Sequence, residues 1–193
     1  MSFSPLPAAA AWRHRDARVG FEVACFEPAG RGYLISGSTT AVEDGQAWIV
    51  SYAIRLDRAW RTRSARITGQ SERVARRVRL DADGLGHWRV DGTAAVQLDG
   101  CLDVDLESSA MTNTLPVHRL GLSAGARSPA PAAYVRARDL GVERLEQEYL
   151  RAPDEGRHQR YDYAAPVFGF TARLVYDEAG LVIDYPGIAL RAL

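Results

Sequence analysis

Apolar side chains recur at every second position over much of the chain, from about residue 19 to residue 107 and again near the C-terminus. That period belongs to strands with one buried face. In the run from Trp48 to Leu56, the residues Trp48, Val50, Tyr52, Ile54 and Leu56 share a face, which is expected to meet the core. Val74, Val78 and Leu80 stand opposite Arg73, Arg77 and Arg79, giving an apolar face and a solvated basic one. Phe168, Phe170, Ala172, Leu174 and Tyr176 repeat the pattern.

Turn signals separate these runs at hairpin spacing: Asp44-Gly45, Asp83-Gly84, Asp91-Gly92, Asp99-Gly100 and Glu178-Ala179-Gly180. Short strands joined locally make a meander. One stretch has helical spacing, residues 139–150, where Val142, Leu145 and Tyr149 fall together among Glu and Arg. Residues 123–133, rich in Ala, Gly, Ser and Pro, read as a loop. The pattern predicts a mainly β fold in one domain spanning residues 1–193. Its curved antiparallel sheet of roughly ten strands would form a roll or open barrel, with one short helix near 139–150. Curvature makes a concavity suited to an apolar ligand.

Composition narrows the class. Hydrophobic residues make up 47% and charged residues 25% of the 193 positions, an ordinary globular balance. The 24 basic and 24 acidic residues cancel, which removes the electrostatic basis for binding nucleic acid. Every basic residue other than the four histidines is arginine. Cys25 and Cys101 stand far apart in no metal-binding spacing, so neither a metal nor another cofactor is expected. The N-terminus has no basic region ahead of its short alanine run, which predicts a cytoplasmic location with free thiols.

The densest polar stretch is Gly100 to Glu107, followed by Met111 to Leu120. Strand alternation puts Cys101, Asp103 and Asp105 on one face and Leu102, Val104 and Leu106 on the other, with the two carboxylates about 7 Å apart. Such a pair could act as acid and base on a glycoside. With Glu107 it could clamp a metal on a nucleotide-sugar, although no nucleotide-binding α/β pattern accompanies it. It could also grip sugar hydroxyls without reacting, or simply pair with nearby arginines. His118 is the histidine placed to act as a base, and Arg119 beside it could bind an anion. A satisfied strand residue would read the same way. Tyr52, Trp60, Trp88, Tyr161, Tyr163, Tyr176 and Tyr185 form an aromatic set able to stack on sugars or pack the core.

Gly100-Cys101-x-Asp103-Val104-Asp105, the segment Thr112 to Leu120, Asp184-Tyr185-Pro186-Gly187, and the stretch Tyr52 to Arg63 with Asp57 and Trp60 together resemble the putative glycolipid-binding family of bacterial proteins. The resemblance implies a spiral β-roll, similar in architecture to the LolA and LolB lipoprotein carriers, and a role in handling glycolipids. It carries over no catalytic residue. The expected activity is therefore non-enzymatic binding of a glycolipid or similar amphiphile, with transient contact with the inner leaflet of a membrane. The ligand would meet Tyr52, Trp60, Arg63, Asp103, Asp105, Asn113, Thr114, His118, Arg119 and Tyr185. The rival is an enzyme acting on a glycan through Asp103 and Asp105.

Overall fold

The computed structural model describes residues 3–71 and 74–192. Eight strands come first: β1 (Ala9–His14), β2 (Val19–Ala29), β3 (Gly32–Glu43), β4 (Gln46–Leu56), β5 (Thr62–Ser71), β6 (Val74–Ala82), β7 (Trp88–Val90) and β8 (Thr93–Ala94). An inner segment follows, with β9 (Asp103–Leu106), a 3-10 turn (Met111–Asn113) and a helix, α1 (Thr114–Leu120). The remaining strands are β10 (Arg127–Pro129), β11 (Ala132–Val135), β12 (Val142–Leu145), β13 (Glu148–Glu155), β14 (His158–Ala165), β15 (Phe170–Tyr176), β16 (Val182–Tyr185) and β17 (Ala189–Arg191).

Fourteen of these strands form one sheet in the order β10-β13-β14-β15-β16-β17-β1-β2-β3-β4-β5-β6-β7-β8. Two meanders, one from each half of the chain, are joined where β1 pairs antiparallel with β17, Trp12 opposite Arg191. The sheet ends on β10 and β8, which do not pair with each other, so the roll is open. The alternation of the sequence reappears as burial: Trp48, Val50, Tyr52, Ile54 and Leu56 all face inward. Two-residue Asp-Gly turns link β3 to β4 and β7 to β8. Asp44, Gly45, Asp91 and Gly92 all have positive φ, as mirror-image hairpin turns require. Arg73, set by alternation on the basic face of β6, lies outside the described residues.

The inner segment lies inside the curve of this sheet. β9 pairs in parallel with β11, and β11 pairs with β12, making a three-stranded sheet. All four residues of β9 are buried, as are Met111, Leu115 and Val117. Glu22 on β2, buried and without a counter-ion among the described residues, ties this segment to the sheet. It accepts the Ser109 hydroxyl, the Tyr52 hydroxyl at 2.7 Å, and the amides of Ala110 and Met111 at 2.8 and 3.4 Å. Burial raises the Glu22 pKa, and these donors hold it down. From the other meander, Tyr149 donates to the Asn113 side chain at 2.8 Å and Tyr176 to its carbonyl at 3.1 Å.

The helix is not where its spacing predicted. Residues 139–150 contain β12 and the start of β13. Leu145, Gln147, Tyr149 and Arg151 are all buried, so the true period there is two. Two buried polar side chains masked it: Gln147 accepts the Tyr163 hydroxyl at 2.9 Å, and the Arg151 guanidinium lies 5.2 Å from the Tyr161 ring centre. Leu140, with φ of 57°, and Gly141 turn the chain directly before β12. The short helix forms instead at Thr114–Leu120, with Pro116 in its first turn, where no amide partner is lost. Gly121 ends it in the left-handed conformation, its amide donating to Val117 at 3.2 Å. The stretch 123–133, read as loop, contributes β10 and the start of β11.

Tyr52 is therefore a structural donor in this fold. Replacing it with Phe leaves the buried Glu22 short of one partner, and the expected cost is about 1–3 kcal/mol in chemical denaturation.

Candidate functional site

A cavity of about 280 Å³ opens on the concave side, between the inner segment and strands β14 to β16. Its polar lining comes from Arg18, Asp105, Glu107, Ser109 and Asn113. Its aromatic lining is Tyr134 on β11, Tyr163 on β14, Phe168 before β15, Phe170 on β15 and Tyr185 on β16. Tyr163, Phe170 and Tyr185 stand at mutual centroid distances of 5.9 to 6.2 Å, and Tyr134 lies 5.6 Å from Phe168. Phe168 and its neighbour Val167 are exposed and form an apolar lip. A larger hollow of about 420 Å³ on the outer face, beside Ile49, Arg76 and Arg77, has no buried polar group in its lining.

Asp105 sits on the third position of β9, opposite Tyr134. It is buried and accepts the Thr112 hydroxyl at 2.7 Å, and no cation pairs with it among the described residues. Burial pushes its carboxyl up from 3.8 to about 6, and the neighbouring charges of Asp103 and Glu107 add to the rise. Glu107 accepts the Ala137 amide at 2.7 Å. Arg18, by contrast, is largely committed. It donates to the Glu107 carbonyl at 3.2 Å, lies 3.6 Å from Glu43 and covers the Trp48 ring, although its Nε has no partner among the described residues.

The structure distributes the ten residues singled out from the sequence over several places. Asp105, Asn113 and Tyr185 line the cavity. Asp103, two residues from Asp105, is buried and held by Arg119 through three contacts of 2.6 to 3.1 Å, so this pair is structural. Burial raises the Asp103 carboxyl and Arg119 lowers it. Tyr52 is spent on Glu22, and Thr114 is buried in the first turn of α1. Trp60 stacks on His118 at 3.7 Å, beside Phe3, at a separate hollow of about 510 Å³. His118 contacts the Ala179 carbonyl at 2.9 Å through Nε2, and burial lowers its pKa to about 4, so it stays neutral and positioned as a packing residue. Arg63 is half-exposed, 3.9 Å from Asp57.

Sequence reasoning missed Arg18, Ser109 and Tyr134 as cavity residues. Arg18 precedes a strand, Ser109 lies in an irregular link, and Tyr134 follows a Pro/Ala-rich stretch, so no period marks them. No cluster of three or more His, Cys, Asp or Glu among the described residues is placed to hold a metal ion. Cys25 and Cys101 are both free.

Two substitutions separate the structural carboxylate from the cavity one. Arg119→Met strands the buried Asp103 charge and is expected to cost about 3–5 kcal/mol. Asp105 behaves in the opposite sense. Its folded pKa lies above the unfolded value, so stability is full below about pH 4 and falls as pH rises through about 6. Asp105→Asn is expected to match the parent at pH 4 and to exceed it at pH 8 by up to about 3 kcal/mol, measured by urea denaturation at both pH values.

A family model described as putative glycolipid-binding matches residues 9–191. The chain is similar to a DUF1089 family protein of Pseudomonas aeruginosa, with 33% identity, a TM-score of 0.75, and coverage of 99% of this chain and 98% of that one. A β-barrel-like DUF1849 protein from Brucella abortus shares the fold at a TM-score of 0.56 and 12% identity, over 98% of this chain and 96% of that one. No curated protein matches.

Proposed function

The chain belongs to the putative glycolipid-binding family, and from that premise we propose that it binds an amphiphile, holding a sugar-like head in the cavity and leading an apolar tail out over Phe168. The observation that carries this reading is the division of the cavity wall. Asp105, Glu107 and Asn113 of the inner segment offer polar groups, while Tyr163, Phe168, Phe170 and Tyr185, on and beside β14 to β16, offer rings.

Size supports the same division. A volume of about 280 Å³ lies at the small end of ligand sites, roughly 300–1,000 Å³, and suits a head group without its chain. The tail must then leave through the mouth, where Val167 and Phe168 are 71% and 54% exposed. Exposed apolar residues at a cavity rim mark a surface that gains from cover. The lip thus supplies what a purely polar ligand would not need.

A second reading has one specific observation behind it. A carboxyl near 6 in a cavity is suited to donate a proton, so Asp105 could serve as a general acid on a glycoside. Asp103 is occupied by Arg119, so the partner carboxylate in that reading is Glu107. Release of aryl leaving groups from aryl glycosides, lost in Asp105→Asn, would favour the enzyme.

The binding reading is tested with a series of alkyl glucosides in isothermal titration calorimetry. Affinity is expected to rise with chain length and to fall at least about tenfold in Asp105→Ala. Phe168→Ser, at an exposed position, is expected to flatten the dependence on chain length. A chain-length series unchanged by Phe168→Ser would sink the assignment of the tail path.

A further inference from the structure

Resting on the amphiphile reading, we propose that the head group this cavity prefers carries a positive charge, a protonated amine on a sugar ring. The cavity is an aromatic cage over a buried carboxylate. Tyr134, Tyr163, Phe170 and Tyr185 present ring faces and edges around Asp105, and Glu107 adds a second carboxylate to the lining. Ring faces attract cations through their quadrupole, and the attraction grows as water is excluded.

A buried carboxylate ordinarily stands beside an arginine, as Asp103 stands beside Arg119 two residues earlier on the same strand. Asp105 is met by the Thr112 hydroxyl and the Leu106 amide, and by no cation among the described residues. The charged and titratable groups that face it are Asp103 and Glu107 from its own strand region, and Tyr134, Tyr149, Tyr163, Tyr176 and Tyr185 from the surrounding strands. Arg18 lines the same cavity, yet its charge is answered by Glu43, the Glu107 carbonyl and the Trp48 ring.

A neutral sugar would leave Asp105 no better compensated than water does. A cationic head would supply the counter-charge Asp105 lacks among the described residues, and an anionic head would meet two carboxylates and an Arg18 already engaged by Glu43 and the Glu107 carbonyl, with only its Nε unpartnered among the described residues. Binding of the cation near pH 6 also draws the proton off Asp105, so it releases protons to the buffer, whereas binding of a neutral head does not.

The test uses the full chain and three octyl pyranosides of different charge, each changed at one ring substituent: the glucoside, the 2-amino-2-deoxyglucoside and the glucuronide, titrated at pH 6.5. The amine is expected to bind at least about tenfold tighter than the glucoside, and the glucuronide weaker than both. Repeating the titration in two buffers of different ionisation heat should show proton release for the amine alone. Asp105→Asn should bring the amine-to-glucoside ratio toward one. Equal affinities for amine and glucoside, or a preference for the glucuronide, would overturn the charge assignment while leaving amphiphile binding intact. Binding of none of the three would overturn both. Octyltrimethylammonium supplies a cation with no sugar: if it equals the amine, the charge preference stands and the sugar requirement falls.

Discussion

One buried carboxylate, met by four hydrogen-bond donors, fixes the architecture of this protein. Glu22, buried on β2, gathers the Ser109 hydroxyl, the Tyr52 hydroxyl and two backbone amides from the inner segment. A buried acid and its donors are each costly to leave unmet, so the group admits few other arrangements. The segment from Ser108 to Asn113 is thereby pinned to the first meander, where Thr39 also donates to the Ser108 carbonyl at 2.8 Å. Tyr149 and Tyr176 pin its far end to the second meander. A sheet that would otherwise be an open curl is thus clasped from within.

The cavity is a product of that clasp. Its wall on one side is the held segment, with Asp105 and Asn113, and on the other the aromatic faces of β14 to β16. Asp103 and Asp105 show how two like residues two positions apart acquire opposite roles. Asp103 meets Arg119 on α1 and becomes part of the frame. Asp105 meets a cavity and remains uncompensated, a local cost in stability of the kind that binding sites carry and core positions avoid.

Much of the sheet was legible because alternation is a local property. Trp48 to Leu56 needs no partner to declare which side chains share a face, and Asp44-Gly45 declares its hairpin turn by the left-handed conformations it tolerates. The region 139–150 was misread because Gln147 and Arg151 are buried polar residues that meet Tyr163 and the Tyr161 ring, both on the neighbouring strand β14. Of the site, Asp105, Asn113 and Tyr185 could be picked out by residue type and motif. His118 and Trp60 could not be distinguished from ligand contacts, since whether a ring stacks on a sugar or on another ring depends on what packs over it.

Taken alone, the sequence determined a mainly β chain, the buried face of residues 48–56, the Asp44-Gly45 and Asp91-Gly92 hairpin turns and the family motifs. Each of these follows from spacing along the backbone. Tertiary structure alone decided that α1 forms at Thr114–Leu120, that Asp103 is paired while Asp105 is left open, and that Arg18 and Tyr134 join residues far away in the chain around one cavity. Those outcomes depend on which groups burial brings together, and the free energy of a buried charge or ring is set by neighbours that sequence spacing does not name.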